Sequence, residues 1–243
     1  ESVWWAFSEL FKKKLIYKDS RISLFCPRCE TPLSNFEIAM DNSYIDKEDE
    51  AVFVKFPVEG AKNEFFLVWT TTPWTLPGNS AVAVNPKIEY TKYKIVGHGV
   101  SEYVWSAVPP PHEASARVSV MERRPGRMLV GEKYEPPFRL FREEGSYRVV
   151  AADFVDDQEG TGLVHIAPAF GEEDFLLGKK EHLPFFETLD DTGRFNVKYP
   201  PLKFLGGKTA AESNPLIIDY LRQRNVLWRT EKMSHRYPVC WRC

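Results

Sequence analysis

Apolar positions in this chain fall mostly into short, dense runs of β-branched and aromatic residues, broken by proline and glycine. Residues 51–58 (Ala-Val-Phe-Val-Lys-Phe-Pro-Val) and 65–72 (Phe-Phe-Leu-Val-Trp-Thr-Thr-Thr) are of this kind and predict strands. Ser80 to Val84, Tyr90 to Val96, Tyr147 to Val155 and Thr161 to Ile166 continue the pattern, and a short strand is expected from Ile22 to Phe25. Helical periodicity is scarcer. Val3, Trp4, Phe7, Leu10, Phe11 and Leu15 are spaced for one face of an amphipathic helix over 3–16, with Lys12, Lys13 and Lys14 at the end that favours cations. A second helix should open near Gly171–Asp174, where Glu172, Glu173 and Asp174 suit a positive N-terminus. A third covers about 210–224 with two competing starts: a capping box from Thr209 to Glu212, or Asn214 as cap with Pro215 at the first helical position. The stretch 98–145 is the hardest to read; Pro109-Pro110-Pro111 predicts an extended loop, and Pro136-Pro137 a break before another short strand. Many short strands, proline and glycine turns and few helices predict a mainly β fold of the α+β kind. The expected form is a closed or nearly closed β-barrel with peripheral helices.

At 243 residues, with 43% apolar and 27% charged, the chain can bury a full core and has the composition of an ordinary globular protein. No apolar run approaches the roughly eighteen residues of a membrane span, so no membrane partner is expected, and a cytoplasmic monomer is. The net charge of −2 excludes a protein that coats nucleic acid by bulk charge, so any RNA contact must come from local clusters. Arg117, Arg123, Arg124 and Arg127 around one predicted hairpin are candidates, as are Arg222, Arg224 and Arg229, beside the plainer reading of solvated surface charge. The sequence opens on Glu1 inside a helix and closes on Cys243, which reads as a segment of a longer enzyme.

Its four cysteines form two Cys-x-x-Cys pairs, Cys26-Pro27-Arg28-Cys29 and Cys240-Trp241-Arg242-Cys243. Two such knuckles with nothing left over match a tetrahedral four-cysteine zinc site; disulfides and a redox pair are the competing readings. Four protein ligands would leave no open position, so the zinc would be structural. Roughly 210 residues lie between the pairs, so the metal would clasp both ends of the intervening domain. The expected organisation is therefore an N-terminal helix and first half of a zinc ribbon over 1–45, a β-barrel domain over 46–228, and the second half of the ribbon over 229–243.

Two stretches stand out chemically. Thr70-Thr71-Thr72-Pro73-Trp74-Thr75-Leu76-Pro77-Gly78-Asn79 crowds four hydroxyls, an indole and an amide into a turn stiffened by two prolines. Gly160-Thr161-Gly162-Leu163-Val164-His165-Ile166-Ala167-Pro168-Ala169-Phe170-Gly171-Glu172-Glu173-Asp174 follows about ninety residues later. Together, in this order and between paired cysteine knuckles, they resemble the two signatures of the editing (CP1) insertion of isoleucyl-type class I aminoacyl-tRNA synthetases. The flanking Cys29-x-Thr31-Pro32-Leu33-Ser34 and Ser234-His235-Arg236-Tyr237-Pro238 also resemble that family, and only about 97–145 matches weakly. Valyl and leucyl relatives typically carry Arg-Pro-Glu or Arg-Pro-Asp where this chain has Thr72-Pro73-Trp74, which favours the isoleucyl type.

The resemblance implies hydrolysis of valine wrongly attached to isoleucine tRNA, in concert with the rest of a parent synthetase that would hold the ATP and Mg2+ sites. One methylene is worth only about 1–3 kcal/mol in an apolar pocket, the valine–isoleucine pair being the standard illustration. A second, smaller pocket inverts the test, because valine enters and isoleucine collides. Trp74, the prolines and His165 would supply stiff walls, with Thr75, Ala167, Phe170 and Gly171 completing the substrate pocket. The resemblance assigns Asp174 to the substrate ammonium. No nucleophilic triad is present, so a positioned water is expected to attack, with Thr70, Thr71, Thr72 and Asn79 hydrogen-bonding water, carbonyl or ribose and His165 positioning the substrate or assisting proton transfer. No cofactor is expected to take part in this chemistry. Lys232-Met233-Ser234-His235 resembles the catalytic Lys-Met-Ser-Lys-Ser signature but lacks its second lysine and serine, and no His-x-Gly-His appears, so amino-acid activation is not expected. The rival readings are a valyl- or leucyl-type editing domain and a non-catalytic zinc-ribbon module that only binds tRNA or protein.

Overall fold

The two densest apolar runs pair with each other at the centre of the molecule. In the computed structural model, which describes residues 1–39, 43–97, 99–140 and 147–243, helix α1 (Ser2–Lys12) precedes a small hairpin of β1 (Leu24–Cys26) and β2 (Thr31–Leu33) and the one-turn helix α2 (Asn35–Ile38). Strands β3 (Tyr44–Pro57), β4 (Glu64–Thr70), β5 (Ala81–Val84), β6 (Glu89–Gly97), β7 (Val100–Ser106) and β8 (Arg117–Pro125) follow, then β9 (Arg148–Ala151) and β10 (Val164–Ile166). Helices α3 (Glu172–Glu181) and α4 (Ala210–Gln223) lead to the last strand, β11 (Leu227–Pro238).

Among the described residues the strands form three sheets. The largest runs β11-β3-β4-β7-β6-β8, the second β10-β5-β9, and β1-β2 stands apart. The fold is mainly β with few helices, but the expected barrel does not close, since β11 and β8 remain the edges of an open six-stranded sheet. The physical reason lies just after β4. Pro73 and Pro77 in the 3-10 turn Pro73–Gly78 have no N–H to continue a ladder, so the chain leaves the first sheet and β5 starts a second one.

Both faces of the central strands are covered, which explains why their apolar runs are continuous rather than alternating. One face packs Val52, Val54, Phe56, Phe66 and Val68 with Leu76, Val82, Trp105 and the Ile217 and Leu221 side chains of α4. The other carries Phe53, Leu67, Tyr93, Ile95 and Val104. The far side of β5 buries Ala81 and Ala83 with Val150, Ile166 and Leu177.

The first half of β3 leaves this core. Tyr44 to Ala51 pair with Pro238 to Glu231 as a two-stranded ribbon, and cations sit over its aromatic rings: Lys47 lies 4.7 Å from the Tyr237 centroid and Arg236 lies 5.0 Å from that of Tyr44. β3 runs through position 46, and β11 passes position 229 just after a register shift between Leu227 and Arg229.

Local signals resolve several ambiguities. The α4 start is the Thr209–Glu212 capping box, with both reciprocal bonds present, so Pro215 lies inside the helix. Helix α1 ends at Lys12, ahead of Lys14, whose φ of 57° breaks it; none of its residues is buried. Strands β7 and β8 occupy the stretch 98–145, and the register of β8 shifts at Met121, opposite Lys92 and Tyr93 of β6. The expected strand Tyr147 to Val155 shortens to β9. No described helix is long and apolar enough to cross a membrane.

Candidate editing site and metal centre

Strand β4 delivers Thr70 to the point where the proline turn begins. There the buried Thr70 hydroxyl accepts the Thr72 N–H at 3.1 Å and lies 3.2 Å from the Thr72 hydroxyl. The chain of hydroxyls continues from Thr72 to Thr75 at 3.3 Å, and Thr75 Oγ1 donates to the Thr72 carbonyl at 2.8 Å. Thr75 Oγ1 also lies 2.8 Å from His165 Nε2. With its own proton directed at Thr72, Thr75 accepts, so Nε2 donates and His165 Nδ1 is a bare acceptor. That Nδ1 is buried without a partner among the described residues. Burial lowers the His165 pKa from 6.5 to about 4, so the ring is neutral near pH 7.

The second motif is aimed by β10, which pairs antiparallel with β5 so that His165 stands opposite Val82. Gly160 precedes it at φ +67°, where an added Cβ would stand 2.6 Å from Trp69 Cε3; only glycine lets this loop lie on the β4 indole. Past β10 the chain turns, with Phe170 N–H donating to Ala167 O at 2.9 Å, and enters α3 through its N-cap Gly171. Asp174, in the first turn of α3, folds back so that Oδ2 accepts the Ala167 N–H at 2.8 Å. The half-buried Asp174 carboxyl has its pKa raised by burial, an effect partly offset by that Ala167 bond and reinforced by Glu173. Gly171 makes room for it, since a Cβ there would lie 3.1 Å from Asp174 Cγ.

The fold therefore docks one motif on the other. Thr70, Thr72, Thr75 and His165 form one hydrogen-bonded chain, and Trp74 meets Phe170 edge to face at 5.0 Å between centroids. Ala167 and Asp174 are bonded to each other beside this contact. Thr71 is half-buried with no hydrogen-bond partner among the described residues. Asn79 lies elsewhere: it is fully buried, with Tyr134 O–H donating to its Oδ1 at 2.7 Å and its Nδ2 donating to Ala81 O at 2.9 Å. Two supporting residues had no signal in the sequence. Asn214 Oδ1 accepts the Trp74 backbone N–H at 3.0 Å across 140 positions, and Tyr134 holds Asn79. Asn214 also lines a cavity of about 280 Å³ with Lys47, Glu48, Asp49, Glu50 and Lys232.

The arginine clusters are largely engaged with neighbours on their own chain. Arg123 pairs with Glu89 at 3.3 Å, Arg124 with Glu122 at 2.5 Å, and Arg229 with Glu231 at 3.1 Å. Arg222 pairs with Asp219, and Arg224 donates to the Tyr220 hydroxyl at 2.9 Å.

At the far end of the ribbon the four thiols converge. Cys26, Cys29, Cys240 and Cys243 Sγ all lie within 4.8 Å of one another, with 3.6 Å from Cys26 to Cys243 and 4.0 Å from Cys29 to Cys240. All four cysteines are free of disulfides. A zinc–sulfur bond of about 2.3 Å implies tetrahedral S–S edges of about 3.8 Å, so the four sulfurs fit such an ion. Cys29 N–H donates to Cys26 Sγ at 3.4 Å, the backbone support a thiolate needs. Glu37 ties α2 to the second knuckle, accepting from Trp241 Nε1 at 2.9 Å and from Arg242.

A model of the tRNA synthetases of class I (I, L, M and V) matches residues 1–182. The chain belongs to this family. It is 42% identical over its full length to an isoleucine--tRNA ligase of Bacillus thuringiensis, 40% to one of Pyrococcus horikoshii and 42% to one of Picrophilus torridus. It spans 23% of the length of each of these relatives. Among solved structures, GlLeuRS-CP1 superposes with a TM-score of 0.55 at 13% identity, covering 74% of this chain and 98% of that one. The cytosolic leucyl-tRNA synthetase editing domain of P. knowlesi gives 0.50 at 11% identity, covering 80% and 98%. At such identities the likeness concerns the fold, which is that of these CP1 editing domains.

Proposed function

We propose that the chain is the proofreading unit of an isoleucine tRNA ligase and hydrolyses valine from mischarged isoleucine tRNA. The observation that carries this reading is the docking of the two motifs through the Thr75–His165 hydrogen bond and the Trp74–Phe170 contact. It joins a rigid hydroxyl array, an aromatic wall and a carboxylate with one unused oxygen.

In this reading Trp74 and Phe170 form the apolar wall that admits valine and collides with isoleucine, with Thr75, Ala167 and Gly171 shaping the rest of the pocket. Asp174 receives the substrate ammonium on Oδ1, which accepts no hydrogen bond among the described residues, while the Ala167 N–H holds Oδ2 in place. Water attacks the ester carbonyl carbon, the bond from that carbon to the ribose oxygen breaks, and the ribose oxygen gains a proton. The unpartnered Thr71 hydroxyl offers a hydrogen bond to water or carbonyl, and Thr70 and Thr72 fix the turn that presents it. His165, neutral and buried, positions Thr75 rather than acting as an acid. Asn79 holds the end of the turn through Tyr134. No cofactor enters the reaction. Cys26, Cys29, Cys240 and Cys243 would hold a structural zinc that fastens the ribbon, dividing the chain into ribbon segments 1–45 and 229–243 around the domain 46–228. Isoleucine tRNA and the remainder of the synthetase are the partners, in the cytoplasm, with the chain itself monomeric.

Replacing Asp174 tests the reading. A charge-assisted hydrogen bond contributes about 1.5–3 kcal/mol, so Asp174→Ala should lower kcat/KM for Val-tRNA hydrolysis by about 10- to 100-fold. Unchanged hydrolysis by this variant would remove the carboxylate from the mechanism.

A further inference from the structure

Gly78 sits beneath the aromatic wall. It is buried in the proline turn, and a Cβ at this position would stand 2.9 Å from Phe170 Cε2 and 3.4 Å from Phe170 Cδ2. Real Cβ atoms do not approach a ring so closely, so the ring can hold its present place only over a glycine. The φ of Gly78 lies outside the left-handed region, so backbone strain is not what requires glycine here. The third neighbour, Phe186 O, is 3.7 Å away at ordinary contact distance. The constraint at Gly78 therefore falls on the Phe170 side chain. That ring is half-buried and is the one that meets Trp74 edge to face.

We infer that Gly78 is a positioning residue for the sieve: by leaving room for the Phe170 ring, it sets where the aromatic wall stands and so how large an aliphatic side chain the pocket accepts. The inference rests on the editing reading and adds a residue to it. A methyl group at 78 displaces the ring from its place against Trp74. The turn itself, anchored by Thr72, Asn79 and the Asn214 bond to Trp74, keeps its hydrogen bonds.

The test is a double-mutant cycle on the chain described here, with valyl and isoleucyl esters of isoleucine tRNA as substrates. Gly78→Ala should change the ratio of the two kcat/KM values by about 10-fold, the low end of what one methylene yields in an apolar pocket. In a Phe170→Ala background, where no ring is left to displace, the same substitution should change the ratio by less than about twofold, the scatter expected of independent sites. An equal effect in both backgrounds, or an unmoved ratio in the first, overturns the role of Gly78. An unsubstituted chain that hydrolyses neither ester overturns the editing reading itself, and is told apart by that.

Discussion

The threonine–histidine site and the cysteine corner are both built from residues far apart in sequence, by different physics. At the site, Leu76, Pro77, Gly78, Asn79 and Ser80 are buried in succession, and every turn hydroxyl but that of Thr71 has a partner among the described residues. The cysteine corner has almost no apolar interior: β1 and β2 bury only Cys26 and Leu33, while Phe25 and Phe36 face solvent. One region is held by packing. The other has short strands, few buried side chains and four thiols at tetrahedral spacing, so in the reading proposed above the ion those thiols hold would fasten it. The ribbon of β3 and β11 joins the two.

The sharpest way to break this comparison is to remove the zinc proposed for the four thiols. Structural zinc contributes about 10–16 kcal/mol of apparent binding free energy in small domains. A strong chelator, or Cys26→Ser, should therefore abolish hydrogen-exchange protection in β1 and β2 while the amides of β4 and β5 stay protected. Loss of protection in both regions would show that the core depends on the clasp. Apolar truncation sharpens the same contrast. Leu76→Ala, at a fully buried position in the turn, should cost about 2–5 kcal/mol. Phe36→Ala beside the knuckles, 75% exposed, should stay within about 0.5 kcal/mol. Denaturant melts of the two variants measure the difference.

Acid should act on the site through His165. Its folded pKa of about 4 lies below the ordinary 6.5, so below pH 6.5 the unfolded chain binds a proton that the folded one refuses. Stability therefore falls as pH drops from about 6.5 to 4, by roughly 3 kcal/mol in total. His165→Gln should flatten that limb of a stability-against-pH curve; an unchanged slope would place the proton uptake elsewhere. Asp174 acts in the opposite sense, since its raised pKa makes the folded state take up a proton first. Thr75→Val should cost about 1–3 kcal/mol, from leaving His165 Nε2–H buried without an acceptor.

How much of this could be read from the sequence depended on the range of the signal. The central strands were legible because both faces are buried, which makes Ala51 to Val54 and Phe65 to Trp69 unbroken apolar runs. The pairing of cysteines was legible because two short spacings suffice. The α4 start was ambiguous because Thr209–Glu212 and Asn214-Pro215 are both valid local starts; Asn214 is instead used by tertiary structure, accepting the Trp74 N–H. Closure of the barrel was a global inference from local strands, and the prolines at 73 and 77 divert the chain into a second sheet. Among the candidate site residues, Asn79 lies in the same polar turn as the threonines, and nothing local shows that Tyr134 draws its amide into the core. Gly78 was silent for the same reason, because its neighbour Phe170 is 92 positions away.

The central claim is that this site clears valine and spares isoleucine. The direct measurement is the rate of ester hydrolysis by the chain on isoleucine tRNA carrying either amino acid, under identical conditions and at saturating protein. The account predicts hydrolysis of the valyl ester well above the buffer rate, with the isoleucyl ester slower by at least about 10-fold. Equal rates for the two esters would contradict the sieve, and no acceleration of either would contradict the editing reading as a whole.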